Sequence, residues 1–485
     1  MSFKNLLQTS IAVGVVSAAF VALPGSASAA FDAAHDTTCE VSGPVTVDGI
    51  GASFQRQAQL KWGAQVLAPD ADPLSPYATG FGFLDLFNAS TNPTGHGCSA
   101  AARTSAGPPP VPGSTLVRYT PSGSGAGRRA FGASTTVGQA GVRNTNYAFG
   151  GADEAPTAAE IAAANEGPTT GSGDNATLHT IPVAQSSVAV VVKLPANCTV
   201  AANSTNRRIS RTALAAAFAG TATTWSTVLP GATLTGTGCS TPVTRVARLD
   251  SSGTTFAFKN YLRAIDPTSF PTSQGNTVWP NDTGSTAVVR GAANGAGSQL
   301  DALNARANGG IAYADLATAR DKGFDWQTGL GANSDPTFWL YVERSTGVYA
   351  TPAVSNNAGA TGVNRGSNCV NTTYANAGGA ALPATTASWY DVTANETSGG
   401  YSLCALTYAL AWAQPSQANV GSLQPAITQD QARAARDYLG FAVEEKTGLN
   451  GTPRAGQSQL AEAGYQKLPE DVRTEARTGV STLTW

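Results

Sequence analysis

Charge is scarce in this chain. Of 485 residues only 12% are charged, 29 Lys and Arg against 31 Asp and Glu, for a formal net charge of −2. That is about half the usual globular share. Such a chain has no basic face to set against nucleic-acid phosphates, so a nucleic-acid partner is excluded. Histidine is scarcer: His35, His96 and His179 are scattered, and no Cys-x-x-Cys occurs. That spacing argues against a metal site. Beyond residue 29 no stretch is apolar enough to span a bilayer. Gly, Ala, Ser and Thr fill the gap. The 42% of hydrophobic residues suffices for cores in two or three ordinary domains.

Residues 1–29 read as an export signal. Lys4 forms the positive start, Ile11 to Leu23 the apolar run, Pro24 and Gly25 the break, and Ala27-Ser28-Ala29 the cleavage site. Its removal takes away Lys4, so the mature charge is −2 − (+1) = −3. No Cys stands at the cleavage point to carry a lipid anchor. An exported chain, periplasmic or extracellular, is expected. All six cysteines (Cys39, Cys98, Cys198, Cys239, Cys369, Cys404) follow the signal. An even number in an exported chain points to disulfides, with 15 possible pairings. Sequence-neighbour pairing (Cys39–Cys98, Cys198–Cys239, Cys369–Cys404) is the preferred one.

From residue 44 onward, strand-like and helix-like patches alternate, the signature of α/β layers. Strands are expected at 44–49, 116–119, 149–153, 187–194, 244–249, 310–313 and 403–412. Helices are expected at 54–67, 156–165, 211–218, 255–265, 300–307 and 429–445, with a last one after Leu468-Pro469. Residues 68–113, ending in the stiff run 107–113, and residues 351–400 read as loop-rich insertions.

Three Ser/Gly segments carry the chemistry: Gly49-Ile50-Gly51-Ala52-Ser53-Phe54, Ser122-Gly123-Ser124-Gly125-Ala126-Gly127 and Arg248-Leu249-Asp250-Ser251-Ser252-Gly253-Thr254. Each precedes a helix-like stretch. A helix start exposes unpaired N–H groups and partial positive charge, glycine lets a ligand approach that backbone, and Ser or Thr adds a hydroxyl. Any one alone is a common cap. Three that converge make a cradle for a small tetrahedral anion. Arg248 can fork two N–H groups onto the anion, and Asp250 can orient it. Asp153 accepts a hydrogen bond from a protonated phosphate but leaves an unmatched charge against fully ionised sulfate. Arg128 and Arg129 read as a solvated face.

In their order these motifs resemble those of the phosphate-binding proteins of phosphate-specific ABC transporters. Gly49 to Phe54 matches the family's Gly-x-Gly-Ala-Thr/Ser-Phe, and Lys61-Trp62 follows as it does there. Tyr119 with Gly123-Ser124, Phe149 to Asp153, and the complete Arg-x-Asp-x-Ser-Gly-Thr from Arg248 to Thr254 come next. Gly123 to Gly127 is also similar to the segment of the DING-type secreted phosphate binders. The resemblance implies a type 2 periplasmic-binding-protein fold: two α/β lobes, a hinge and a central cleft. Lobe I would comprise 30–184 plus 405–485, and lobe II 185–404. It implies phosphate ligands at Ser53, Phe54 (backbone), Ser124, Asp153, Arg248, Asp250, Ser252, Gly253 and Thr254. It further implies an ABC permease as partner, a monomer, no cofactor and no catalytic residue. In that fold the crossover strand 187–194 runs antiparallel to its neighbours and ends near residue 244, which favours a Cys198–Cys239 bridge. Alternatives are a secreted scavenger coupled to no transporter, or a secreted hydrolase. The hydrolase lacks a Gly two positions before Ser124 and a partner for His179, which reads as a capped or surface residue.

Overall fold

A computed structural model describes residues 45–67, 115–144, 146–168, 176–200, 205–271, 277–324, 337–354, 366–396, 399–418, 427–445 and 456–484. The export signal, Cys39, Cys98 and the 68–113 insertion lie outside these residues. In chain order the elements used below are β1 (Val45–Gly51), α1 (Arg56–Leu67), β2 (Thr115–Pro121), α2 (Ser124–Ala130), β3 (Phe149–Ala152), α3 (Ala158–Glu166), β4 (Leu178–Lys193), α4 (Arg211–Ala219), β5 (Thr244–Ala247), α5 (Gly253–Ile265), β6 (Val289–Arg290), α6 (Ala296–Asn304), β7 (Gly310–Asp315), α7 (Leu316–Asp321), β8 (Thr337–Trp339), β9 (Thr372–Ala375), β10 (Thr393–Glu396), β11 (Cys404–Trp412), α8 (Gln429–Val443) and α9 (Glu470–Ser481).

The largest sheet has the order β2-β1-β3-β11-β4-β7-β5-β6, and β8 also pairs with β4. β4 holds the two halves together. Its first part pairs antiparallel with β11, and from Val188 onward it pairs antiparallel with β7. Sixteen residues long and buried almost throughout, it changes partners at Ser187–Val188. The second part is the apolar run Val188-Ala189-Val190-Val191-Val192, all fully buried, as a strand covered on both faces requires. The first part buries polar groups with partners. Gln185 donates to the Lys467 carbonyl at 2.6 Å, and Ser186 to the Gly464 carbonyl at 3.1 Å. Pro182 has no N–H to give the ladder. The β4–β11 register slips there, between Thr407 and Tyr408.

Local rules set the helix starts. Thr157 and Glu160 form a capping box on α3, and Thr428 and Gln431 one on α8. Beneath α5, Phe258 stacks on Tyr313 at 4.4 Å and meets Phe218 edge-on at 4.7 Å. Burying a ring like Phe258 contributes about 1.5–3 kcal/mol. The segment 351–400 is not wholly loop: β9 and β10 pair as an antiparallel ladder, and Cys369 is bridged to Cys404 at the start of β11. Strands of four residues are too short for a periodic pattern to reveal. Cys198–Cys239 is also formed. No described helix is long and apolar enough to cross a membrane.

Candidate functional site

The site forms where four chain segments meet. α5 begins at Ser252, an extended residue (φ −138°) whose hydroxyl accepts from the Thr255 N–H at 3.3 Å. The next N–H, of Gly253, points away from its own helix and donates to the Ser124 hydroxyl at 3.1 Å. That hydroxyl stands at the start of α2. It also accepts from the Asp153 N–H at 3.0 Å and lies 3.1 Å from the Asp153 carboxylate, to which it donates. Gly253 is required by closeness. A Cβ there would sit 2.3 Å from the Glu154 nitrogen and 2.4 Å from the Asp153 carbonyl carbon, inside any real contact. Gly123, at φ +94°, is required twice over, because a Cβ would also fall 2.2 Å from the Asp250 carboxylate.

Arg248 is 2% exposed. Its guanidinium forks onto Asp250 at 2.8 and 2.5 Å and donates to the Ser252 hydroxyl at 2.8 Å. Asp250 therefore fixes Arg248 in place. It also accepts the Gly295 N–H at 3.1 Å, and the following N–H, of Ala296, donates to the Ser53 hydroxyl at 3.2 Å. Ser53 is thereby tied to the Arg248 segment through the start of α6. Phe54 is fully buried, its ring 6.2 Å from Tyr465, whose hydroxyl donates to the Phe54 carbonyl. Thr254 donates to Asp153 at 3.4 Å. All nine sequence-singled residues thus lie in one region.

Three contributors were not foreseen. The start of α6 at Gly295–Ala296 follows the Gly-rich run Gly291-Ala292-Ala293-Asn294-Gly295, the same kind of signal as the other three. The helix there begins at 296, before the expected 300. Thr407 donates to Asp153 at 2.7 Å; it sits beside the register slip, which nothing local announces. Asp315, at the end of β7 and capping α7 by accepting the Thr318 N–H at 2.8 Å, is fully buried.

Burial above all pushes the Asp153 carboxyl up, to about 7. The Thr407 hydroxyl and the Arg248 charge pull it back, and Asp315 adds repulsion. Asp315 is likewise raised by burial, to about 6, against the Thr318 N–H and Arg248. A carboxyl poised near neutrality beside one buried guanidinium and a ring of hydroxyls can accept a hydrogen bond from a protonated oxyanion or, when itself protonated, donate one.

Two expectations change. Arg128 is not a solvated face: it is buried, bonding Glu154 at 3.0 Å and Glu160 at 3.1 Å, while Arg129 is exposed. His179 is not on the surface. It is 3% exposed, 2.8 Å from the Thr385 hydroxyl and 3.4 Å from that of Thr482, and burial pushes it down to about 4. Neither partner belongs to the Ser124–Asp153 network. No group of three or more potential metal ligands occurs among the described residues.

A family model described as the PBP superfamily domain matches residues 110–446. A 157-residue stretch, 32% of this chain, is 33% identical to alkaline phosphatase L of Pseudomonas aeruginosa and covers 37% of it. The chain thus spans little more than a third of that curated relative. Among solved structures, the high-affinity periplasmic phosphate-binding protein PfluDING, bound with phosphate, aligns with TM-score 0.52 and 18% identity over 90% of this chain and 93% of that one. An ancestral soluble variant of the human phosphate binding protein aligns with TM-score 0.51 and 19% identity over the same shares, 90% and 93%. At such identity the likeness is one of fold, the two-lobed α/β architecture that the motifs imply. With more than half of its length matched by the family model, the chain belongs to the PBP superfamily domain family.

Proposed function

We propose that this protein is an extracytoplasmic binding protein that captures inorganic phosphate between two lobes and delivers it to an ABC permease, without chemistry of its own. The observation that carries the reading is the convergence on Asp153 of hydroxyls from Ser124, Thr254 and Thr407, beside the Gly253 N–H bound to Ser124 and the oriented Arg248. The ligand set proposed is Ser53, Phe54, Ser124, Asp153, Arg248, Asp250, Ser252, Gly253 and Thr254. The lobes proposed are 30–184 with 405–485, and 185–404. Two disulfides and a fold shared with a periplasmic protein are consistent with export.

Above pH 7, Asp153 is a carboxylate and accepts a hydrogen bond from the P–O–H group of hydrogen phosphate; sulfate has none to donate. Titration calorimetry at pH 8 with phosphate, sulfate and molybdate tests this, with phosphate bound and sulfate rejected as the expected result. Sulfate binding at equal strength would overturn it. Binding without chemistry leaves chromogenic phosphoesters intact on prolonged incubation. Phosphate uptake by cells deprived of the protein separates delivery to a permease from a scavenging role: delivery predicts slowed uptake.

A further inference from the structure

A cavity of about 340 Å³ opens beside Asp153, within the size range of small-molecule sites. The start of β11 lines it, as do α5 and the segment that carries β9 and β10. Its walls are rings. Phe256 and Tyr390 lie 4.9 Å apart with their planes tilted by 47°, and Trp389 meets Tyr408 edge-on at 6.0 Å. Tyr374 and Tyr261 also line it, but their hydroxyls are engaged, donating to the Gln185 side chain at 2.9 Å and the Glu343 carbonyl at 3.1 Å. They offer the cavity ring surface. Asp153 is the only charged residue among its described lining residues, and it also belongs to the cradle.

We propose that this cavity receives the aromatic group of a phosphate monoester whose phosphate sits in the cradle, so that aryl phosphates are ligands alongside inorganic phosphate. The proposal rests on the reading that the cradle takes phosphate. The two spaces share Asp153 and divide the labour of one amphipathic ligand. Arg248 and the helix-start amides neutralise an anion, and the cavity, which has no cation, accepts only a neutral group. Ring faces select a flat one, since offset and edge-on aromatic contacts add to plain burial. The Arg248 charge acts on Asp153 and repels an organic cation placed beside it.

The test is titration calorimetry at pH 6, where a proton is available between ester and carboxyl. The probes are inorganic phosphate, phenyl phosphate, glycerol phosphate and phenyltrimethylammonium. Phenyl phosphate is expected to bind about tenfold more tightly than glycerol phosphate. Tyr390→Ala is expected to erase that advantage with inorganic phosphate affinity unchanged. Asn260→Glu, at a half-buried position on the same wall, is expected to weaken phenyl phosphate alone. Equal binding of the two esters, no ester binding beside intact phosphate binding, or tighter binding of the ammonium overturns the proposal and leaves the phosphate reading standing. Failure of inorganic phosphate itself to bind overturns both.

Discussion

The cradle and the cavity meet at Asp153, yet they are built by opposite means. Around Arg248, Asp250 and Asp153 the cradle is built of Gly, Ser and Thr at helix starts, where backbone N–H groups and hydroxyls are linked to one another and side chains are kept small. Two of its contacts tolerate no Cβ at all. The cavity is walled by large rings from α5, β11 and the segment around β9 and β10, which offer contact area in place of hydrogen-bonding groups. A small anion is held by dipoles whose strength falls off within a turn of helix, so geometry there is rigid. An apolar group is held by area, which tolerates variation.

That contrast is open to test, and the largest effect belongs to the cradle's closest contact. Gly253→Val pushes a side chain into the Asp153–Glu154 backbone and is expected to weaken phosphate by more than about a hundredfold. Retained far-ultraviolet circular dichroism shows whether the fold survives. Wild-type affinity in this variant would mean that the elements need not approach so closely.

The next effect separates two buried arginines. Arg248→Ala removes the cradle's guanidinium and is expected to cost about 2–5 kcal/mol of binding, as truncating one partner of a buried charge pair does. Arg128→Ala strands Glu154 and Glu160, so it lowers the melting temperature while changing affinity less than tenfold. Equal affinity losses would place the pocket elsewhere.

Asp153→Asn reads the residue that both regions share. Its phosphate-to-sulfate ratio is expected to narrow by about tenfold or more at pH 8. Burial holds Asp153 at about 7, well above its ordinary 3.8. The folded protein therefore binds this proton more tightly than the unfolded chain does. Stability from this group is full below pH 3.8 and is lost as pH rises through 7. The Asn variant should accordingly melt higher than the wild type at pH 8 and alike at pH 4. A melting difference that does not vary with pH would show the carboxyl to be ordinary.

The smallest effect lies outside both regions. His179 is held neutral down to about 4, below its ordinary 6.5, by burial. Its contribution is present above pH 6.5 and is lost as pH falls toward 4. His179→Gln should flatten that acid-side loss of stability, measured by melting, with phosphate affinity unchanged.

Much of the cradle was legible because it obeys local rules. Ser252 caps the helix that its own neighbours build, and Arg248 reaches Asp250 two residues away. Such contacts are written within a few residues of each other. Thr407 was not legible: it reaches Asp153 from 254 residues away, and the register slip at Pro182 sets where it lies. The start of α6 carried the right kind of signal but was placed four residues late. The 351–400 segment looked featureless because β9 and β10 are short; its rings come to line the cavity only where the segment packs against α5.

What the sequence determined by itself was a vocabulary: glycines where backbones must touch, hydroxyls and amides at helix starts, and one arginine with its aspartate. Those choices depend on neighbours along the chain, so they can be read along the chain. Tertiary structure alone decided that the fourth helix start would join the others, that a buried Asp153 would hold its proton to near neutrality, and that rings scattered over some 150 residues would enclose a cavity beside it. Burial and dielectric are set by everything packed around a group, and no local stretch of sequence encodes that.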